Sequence, residues 1–231
     1  KCYRMTPFFF FYNVGVWVDT FLFWFSESGF QITGPLYANR LYDNSIFMAY
    51  LATIPAFALF LIRIETDFHE QYKTYYATII HKAPRAKILQ KRDELVESIR
   101  RGFGQLIKVQ GAITLCMLVV TPFVIETLRF SYQQYAIMRI GFVAAYLQTL
   151  FLILLVVLLY FDFRKEALIS TIVFLVTNAV FTLVSLKLGF AAYGYGYFAS
   201  CLVSVPIAYF FLNRNLNRLE YLTFMNQPIS G

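Results

Sequence analysis

A lone carboxylate in the middle of an apolar run is the sharpest chemical signal in this sequence. Asp19 stands in the stretch from Phe8 to Phe25, which contains no Lys or Arg. A carboxylate well inside a membrane span costs about 2.5–3.5 kcal/mol on insertion scales, so it should face a cavity, an ion or a basic partner. The alternative is a helix-packing residue near the outer interface. Gln148 and Asn178 are amides centred in two later apolar runs, with Thr177 beside Asn178. Such groups can touch a hydrophilic substrate, or they can tie helices together at about 0.6 kcal/mol each, which is their commoner use. Asp19, Gln148 and Asn178 are therefore the candidates for the wall of a transport path, with interhelical bonding as the other reading.

Other chemistry finds little support. The only histidines are His69 and His81, and Cys2, Cys116 and Cys201 are isolated from one another. Zinc or di-iron sites need clustered ligands, and a disulfide framework needs paired spacings, so no metal, cofactor or disulfide is expected. Neither a glycine-rich phosphate loop nor a G-x-S-x-G elbow occurs, and no catalytic residue is assigned. Gly194-Tyr195-Gly196 repeats the GYG of potassium filters but lacks the preceding Thr-Val and a pore helix. Tyr193, Tyr195 and Tyr197 are better taken as an outer aromatic belt. Arg63 and Asp67 are four apart and can pair as an interfacial anchor at the end of a span.

The elements that would position these residues follow from composition. The chain is 59% hydrophobic and 14% charged, with a mean hydropathy of +0.58. Soluble domains carry about 25% charged residues, so this core would have almost nothing to cover it in water. A spanning helix needs about 20 mostly apolar residues. Six stretches meet this: about 8–25, 45–62, 109–125, 140–161, 167–186 and 197–212. The expected class is an all-α membrane protein with six transmembrane helices and amphipathic cytoplasmic helices between the second and third. Its parts are 1–62 with two spans, 63–109 as a basic segment, 110–212 with four spans, and a tail at 213–231. Starting at Lys1 and entering an apolar run within a few residues, the chain reads as a piece of a longer protein.

The polar interruption sets the orientation. It holds ten of the twenty Lys and Arg residues, from Arg63 to Lys108. With six spans, sixteen of the twenty fall on one side and Arg40, Arg129, Arg139 and Lys187 on the other. The positive-inside bias makes the first side cytoplasmic, with both ends of the chain there. The net charge of +7 is concentrated between apolar runs, which points to a membrane face and not to nucleic acid.

Within this segment Tyr72, Tyr75, Tyr76, Ile79 and Ile80 recur at helical spacing. Beyond the His81–Pro84 break, Ile88, Leu95, Ile99, Phe103 and Leu106 keep an apolar face. Two amphipathic helices, about 65–80 and 85–108, would rest on the inner leaflet or dock a cytoplasmic partner through Tyr72, Tyr76, Ile80, Ile99 and Phe103.

Several strings resemble the PelG family, the polytopic subunit of the bacterial Pel exopolysaccharide system. They are Trp17-Val18-Asp19 followed by Phe23-Trp24; Glu65-Thr66-Asp67-Phe68 after a span; Tyr160-Phe161-Asp162 with Arg164; and the tail Arg218-Leu219-Glu220-Tyr221-Leu222-Thr223-Phe224-Met225. Together they run from one end of the chain to the other, and the tail is the most distinctive. The resemblance implies a bacterial inner-membrane member of the flippase superfamily, normally with twelve spans, of which this chain would be the C-terminal half. The implied role is export of an amino-sugar polysaccharide from cytoplasm to periplasm for biofilm matrix. It also implies partners: the polymer, membrane lipids, the N-terminal half, a cytoplasmic glycosyltransferase and a cyclic di-GMP receptor. No family motif assigns substrate residues.

The expected function is thus a polysaccharide exporter and not an enzyme. A membrane scaffold that recruits the glycosyltransferase without transport is the alternative. A lipid-linked oligosaccharide flippase or a multidrug antiporter is a weaker one.

Overall fold

Long helices form over the apolar runs, and they end where charges, prolines and glycines stand. The structure, a computed structural model, describes residues 6–63, 66, 68–81 and 83–219. Cys2, the expected Arg63–Asp67 pair, Glu65 and the tail from Glu220 onward lie outside the described residues.

The order is α1 (Thr6–Trp24), β1 (Phe30–Thr33), β2 (Leu36–Ala38), α2 (Arg40–Leu51), α3 (Ile54–Arg63), α4 (His69–Ile80), α5 (Arg85–Thr127), α6 (Gln134–Tyr160), α7 (Arg164–Leu188), a 3-10 turn (Phe190–Ala192) and α8 (Tyr195–Asn217). The strands form a small antiparallel hairpin with Gln31 opposite Tyr37, turning at Gly34 with φ of 56°. The stretch between the first two runs thus carries a hairpin and the start of α2. Asn39 begins that helix by accepting a hydrogen bond from Tyr42 N at 3.2 Å, the role a short polar side chain plays at an N-cap. Asp43 Oδ2 accepts from both Asn39 N and Trp24 Nε1 at 2.9 Å, fastening the end of α1 to the start of α2.

Among the described residues, five helical stretches are long and apolar enough to cross a membrane: Arg40–Ile62, Arg85–Thr127, Gln134–Tyr160, Arg164–Leu188 and Phe190–Asn217. The expected first run is a 19-residue helix, α1, but Asn13 and Asp19 lower its hydropathy and it is not one of the five. The second stretch is broken at Ala52-Thr53. Pro55 has no N–H and its ring clashes with the carbonyl four residues back, that of Leu51, which is where α2 ends.

The basic segment also differs from expectation. The break at His81–Pro84 is present, yet the helix after it does not stop at Lys108. It continues unbroken for 43 residues into the next apolar run. At 1.5 Å per residue it is about 65 Å long, twice the hydrocarbon thickness of a bilayer, so its charged half projects beyond the apolar half.

The centre of the molecule is α6, the most thoroughly buried of the five stretches. It packs against α2, α5 and α8, while α7 packs against α8 and α1. Short helix α4 lies on α5. It also caps the end of α6, where Phe68 and Tyr72 meet the Tyr160 ring edge-on at centroid distances of 4.6 and 4.8 Å.

Candidate functional site

Tyr12, Gly15, Asp19 and Phe23 recur every three to four residues, so one face of α1 carries all four. That face turns into the bundle: Asp19 is completely buried and Phe23 nearly so, while Phe9, Phe10, Trp17 and Phe21 point outward. Gly15 lets α1 come close to α7, because a Cβ there would sit 2.9 Å from the Phe174 ring and 3.4 Å from the backbone of Leu175.

This approach brings the polar residues together. Asn178 Nδ2 donates to the Gly15 carbonyl at 2.9 Å, and Thr182 Oγ1 donates to Asn178 Oδ1 at 3.2 Å. One turn further along α1, Asp19 Oδ2 accepts from the Tyr42 hydroxyl of α2. Among the described residues Asp19 Oδ1 is buried without a hydrogen bond. One turn in the other direction, Gln148 Nε2 of α6 donates to the Tyr12 hydroxyl at 2.9 Å. The Tyr42 ring stacks on Phe23 at 3.7 Å between centroids. Tyr50 donates to the Tyr197 hydroxyl at 3.1 Å, and both, with Cys201, lie within electrostatic reach of Asp19.

All three candidate path residues therefore contact the inward face of α1. Each is engaged by a partner within the same bundle. Thr177 is not part of this group; its hydroxyl bonds back to Val173 O at 2.8 Å within α7. The arrangement offers hydroxyl and amide groups, which both give and accept hydrogen bonds, around one carboxylate. That is chemistry suited to holding helices or polyhydroxyl ligands. Among the described residues no three His, Cys, Asp or Glu side chains come together as a metal site.

Three tyrosines of this network, Tyr12, Tyr42 and Tyr50, carry no assignment from the sequence, and a fourth, Tyr197, was expected elsewhere. Tyr12 had a signal, seven residues from Asp19 on one helix face. Tyr197 departs from the outer-belt expectation: it is 1% exposed, whereas Tyr195 is 52% exposed. Tyr197 lies in the first turn of α8, beside Gly196, where α8 comes against the backbone of α7.

The candidates for partner docking divide. Tyr72 and Tyr76 are half-buried among rings, 4.5 Å apart between centroids. Ile99 and Phe103 pack on the core and border an apolar groove. Ile80 alone of the five is freely exposed, at 72%.

A family model described as "Putative exopolysaccharide Exporter (EPS-E)", PelG, matches residues 3–224. No curated protein and no solved structure matches the chain. Five membrane-length helices among the described residues, in an exporter family, make this a multi-pass membrane protein, and a match covering almost all of its length shows that the chain belongs to the PelG family of exopolysaccharide exporters.

Proposed function

We propose that this chain is the C-terminal lobe of a Pel-type exporter in the bacterial inner membrane, moving amino-sugar polymer from cytoplasm to periplasm for biofilm matrix. The observation that carries this reading is the family match over residues 3–224. The distribution of basic residues supports an orientation with both ends of the chain cytoplasmic. A twelve-span member of the flippase superfamily would enclose its path between this lobe and an N-terminal one. A cytoplasmic glycosyltransferase and a cyclic di-GMP receptor would work beside it.

In this reading Asp19, Gln148 and Asn178 belong to the wall of the path. Their present partners are a phenol, a phenol and a carbonyl, the same kinds of donor and acceptor that sugar hydroxyls and amides present. A polymer could replace them one for one as α1 moves against α6 and α7. The test is secreted polymer from cells carrying Asp19→Asn or Asn178→Leu at unchanged membrane levels. Export should stop while intracellular polymer accumulates; undiminished secretion in both would overturn the reading.

Exposed Ile80, at the end of the helix capping α6, favours a second reading, in which the chain recruits a glycosyltransferase without transporting. Ile80→Glu would then remove the enzyme from pull-downs, and Asp19→Asn would leave both recruitment and secretion intact.

A further inference from the structure

An apolar slot lies between α3, α5, α6 and α8, at the end of the bundle where α3, α6 and α8 finish. Its walls are Phe60, Leu106, Ile153, Val157, Leu212 and Leu216. Three of these, Phe60, Leu106 and Ile153, form a small buried cluster of their own. The slot is partly open and offers about 80 Å³ of space, far less than an α-helix about 10 Å across would need. Gly102 also lines it, and a Cβ at that position would meet nothing within 4 Å.

The slot has a polar side as well. Exposed Arg100 and half-buried Ser98 and Asn213 line it. Arg101 is paired with Glu97 at 3.7 Å, but Arg100 has no ion pair among the described residues. Water in a slot with these walls would forgo most of its hydrogen bonds, and an empty slot forfeits dispersion contacts along its whole lining. Hydrocarbon satisfies the walls, and an anion satisfies the guanidinium beside them. One class of molecule in a bilayer presents both together.

We propose that this slot holds one acyl chain of an anionic membrane lipid whose phosphate rests on Arg100. The proposal needs only that the chain sits in a membrane, and it stands or falls independently of polymer export.

The test uses the full-length protein in lipid nanodiscs, with Phe103→Trp as reporter in a Trp17→Phe/Trp24→Phe background. Brominated phosphatidylglycerol and brominated phosphatidylcholine are compared as quenchers at equal fractions. The anionic lipid should be enriched at the reporter by about fivefold, the ratio one basic residue near an anionic headgroup supplies. Arg100→Gln should erase that preference, and because Arg100 is exposed the change leaves the fold intact. Gly102→Leu should fill the slot and weaken quenching by both lipids, with Gly102→Ala giving a smaller loss in the same direction. Equal quenching by the two lipids, or a preference that survives Arg100→Gln, overturns the proposal. Relief of quenching by soluble glycerol phosphate would reveal a free-phosphate site instead. A reporter insensitive to both lipids would mean that protein fills the slot. Either result also overturns the proposal.

Discussion

Asp19 shows how far a single residue's type constrains its surroundings. A buried carboxylate needs a donor, and Tyr42 supplies one with its ring held flat against Phe23. Removing that hydroxyl leaves a second carboxylate oxygen unsatisfied. Tyr42→Phe should therefore lower stability by about 1–3 kcal/mol, the desolvation cost of an orphaned buried polar group. Gln148→Leu, which breaks one neutral bond to Tyr12, should cost only about 0.6 kcal/mol, the average for a hydrogen bond between membrane helices. Thermal unfolding of the detergent-solubilised variants measures both. A Tyr42→Phe protein as stable as the parent would show that Asp19 has another source of compensation. The sequence announced Asp19, Gln148 and Asn178 because a polar residue in an apolar run is conspicuous. It did not announce their tyrosine partners, because a tyrosine fits a core, an interface or an aromatic belt equally well.

Between helices, two glycines allow close approaches to α7. A Cβ at Gly196 would sit 2.6 Å from the backbone of Thr182, and backbone cannot swing aside as a side chain can. Gly15 meets the Phe174 ring in the same way on the other flank of α7. Membrane helices gain most from such contacts, because lipid leaves little hydrophobic force between them. Gly196→Ala should wedge α8 from α7 and destabilise the protein by about 1–3 kcal/mol, and Gly15→Ala should do so by less, since a ring can rotate. Gly111→Ala, where nothing lies within 4 Å, should be neutral or stabilising by up to about 1 kcal/mol through helix propensity. Unfolding midpoints of the three variants give the order, and a Gly111→Ala protein less stable than Gly196→Ala would contradict it. The periods of the apolar runs located nearly every helix, but not these contacts. Gly15, Gly111 and Gly196 look alike in sequence, and only the neighbour across the gap separates them.

For the molecule as a whole, the charge distribution predicts which side each loop faces. A single-cysteine reporter at position 33, in the hairpin, should react with an impermeant maleimide added to cells whose outer membrane is permeabilised. A reporter at position 90, in the charged half of α5, should react only after the inner membrane is opened. The reverse pattern would invert the orientation and with it the proposed direction of export. The continuity of α5 gives this experiment mechanical meaning. A rigid helix that is half charged and half apolar would carry movement between the bilayer and whatever binds α4 and the start of α5. Sequence divided that helix at Lys108, where composition changes, but the chain contains no proline or capping residue there to break hydrogen bonding.

Composition and the periodicity of apolar residues were enough to establish that this chain lives in a membrane, that helices build it and that its cations gather around one stretch. Those properties depend on each residue's own preference for water or lipid, which neighbours scarcely alter. Whether Asp19 faces an open path or a tyrosine, which glycine seats a helix and where an arginine borders an apolar slot depend on pairs of residues far apart in the chain. Such pairs acquire meaning only when α1, α2, α6, α7 and α8 are set side by side.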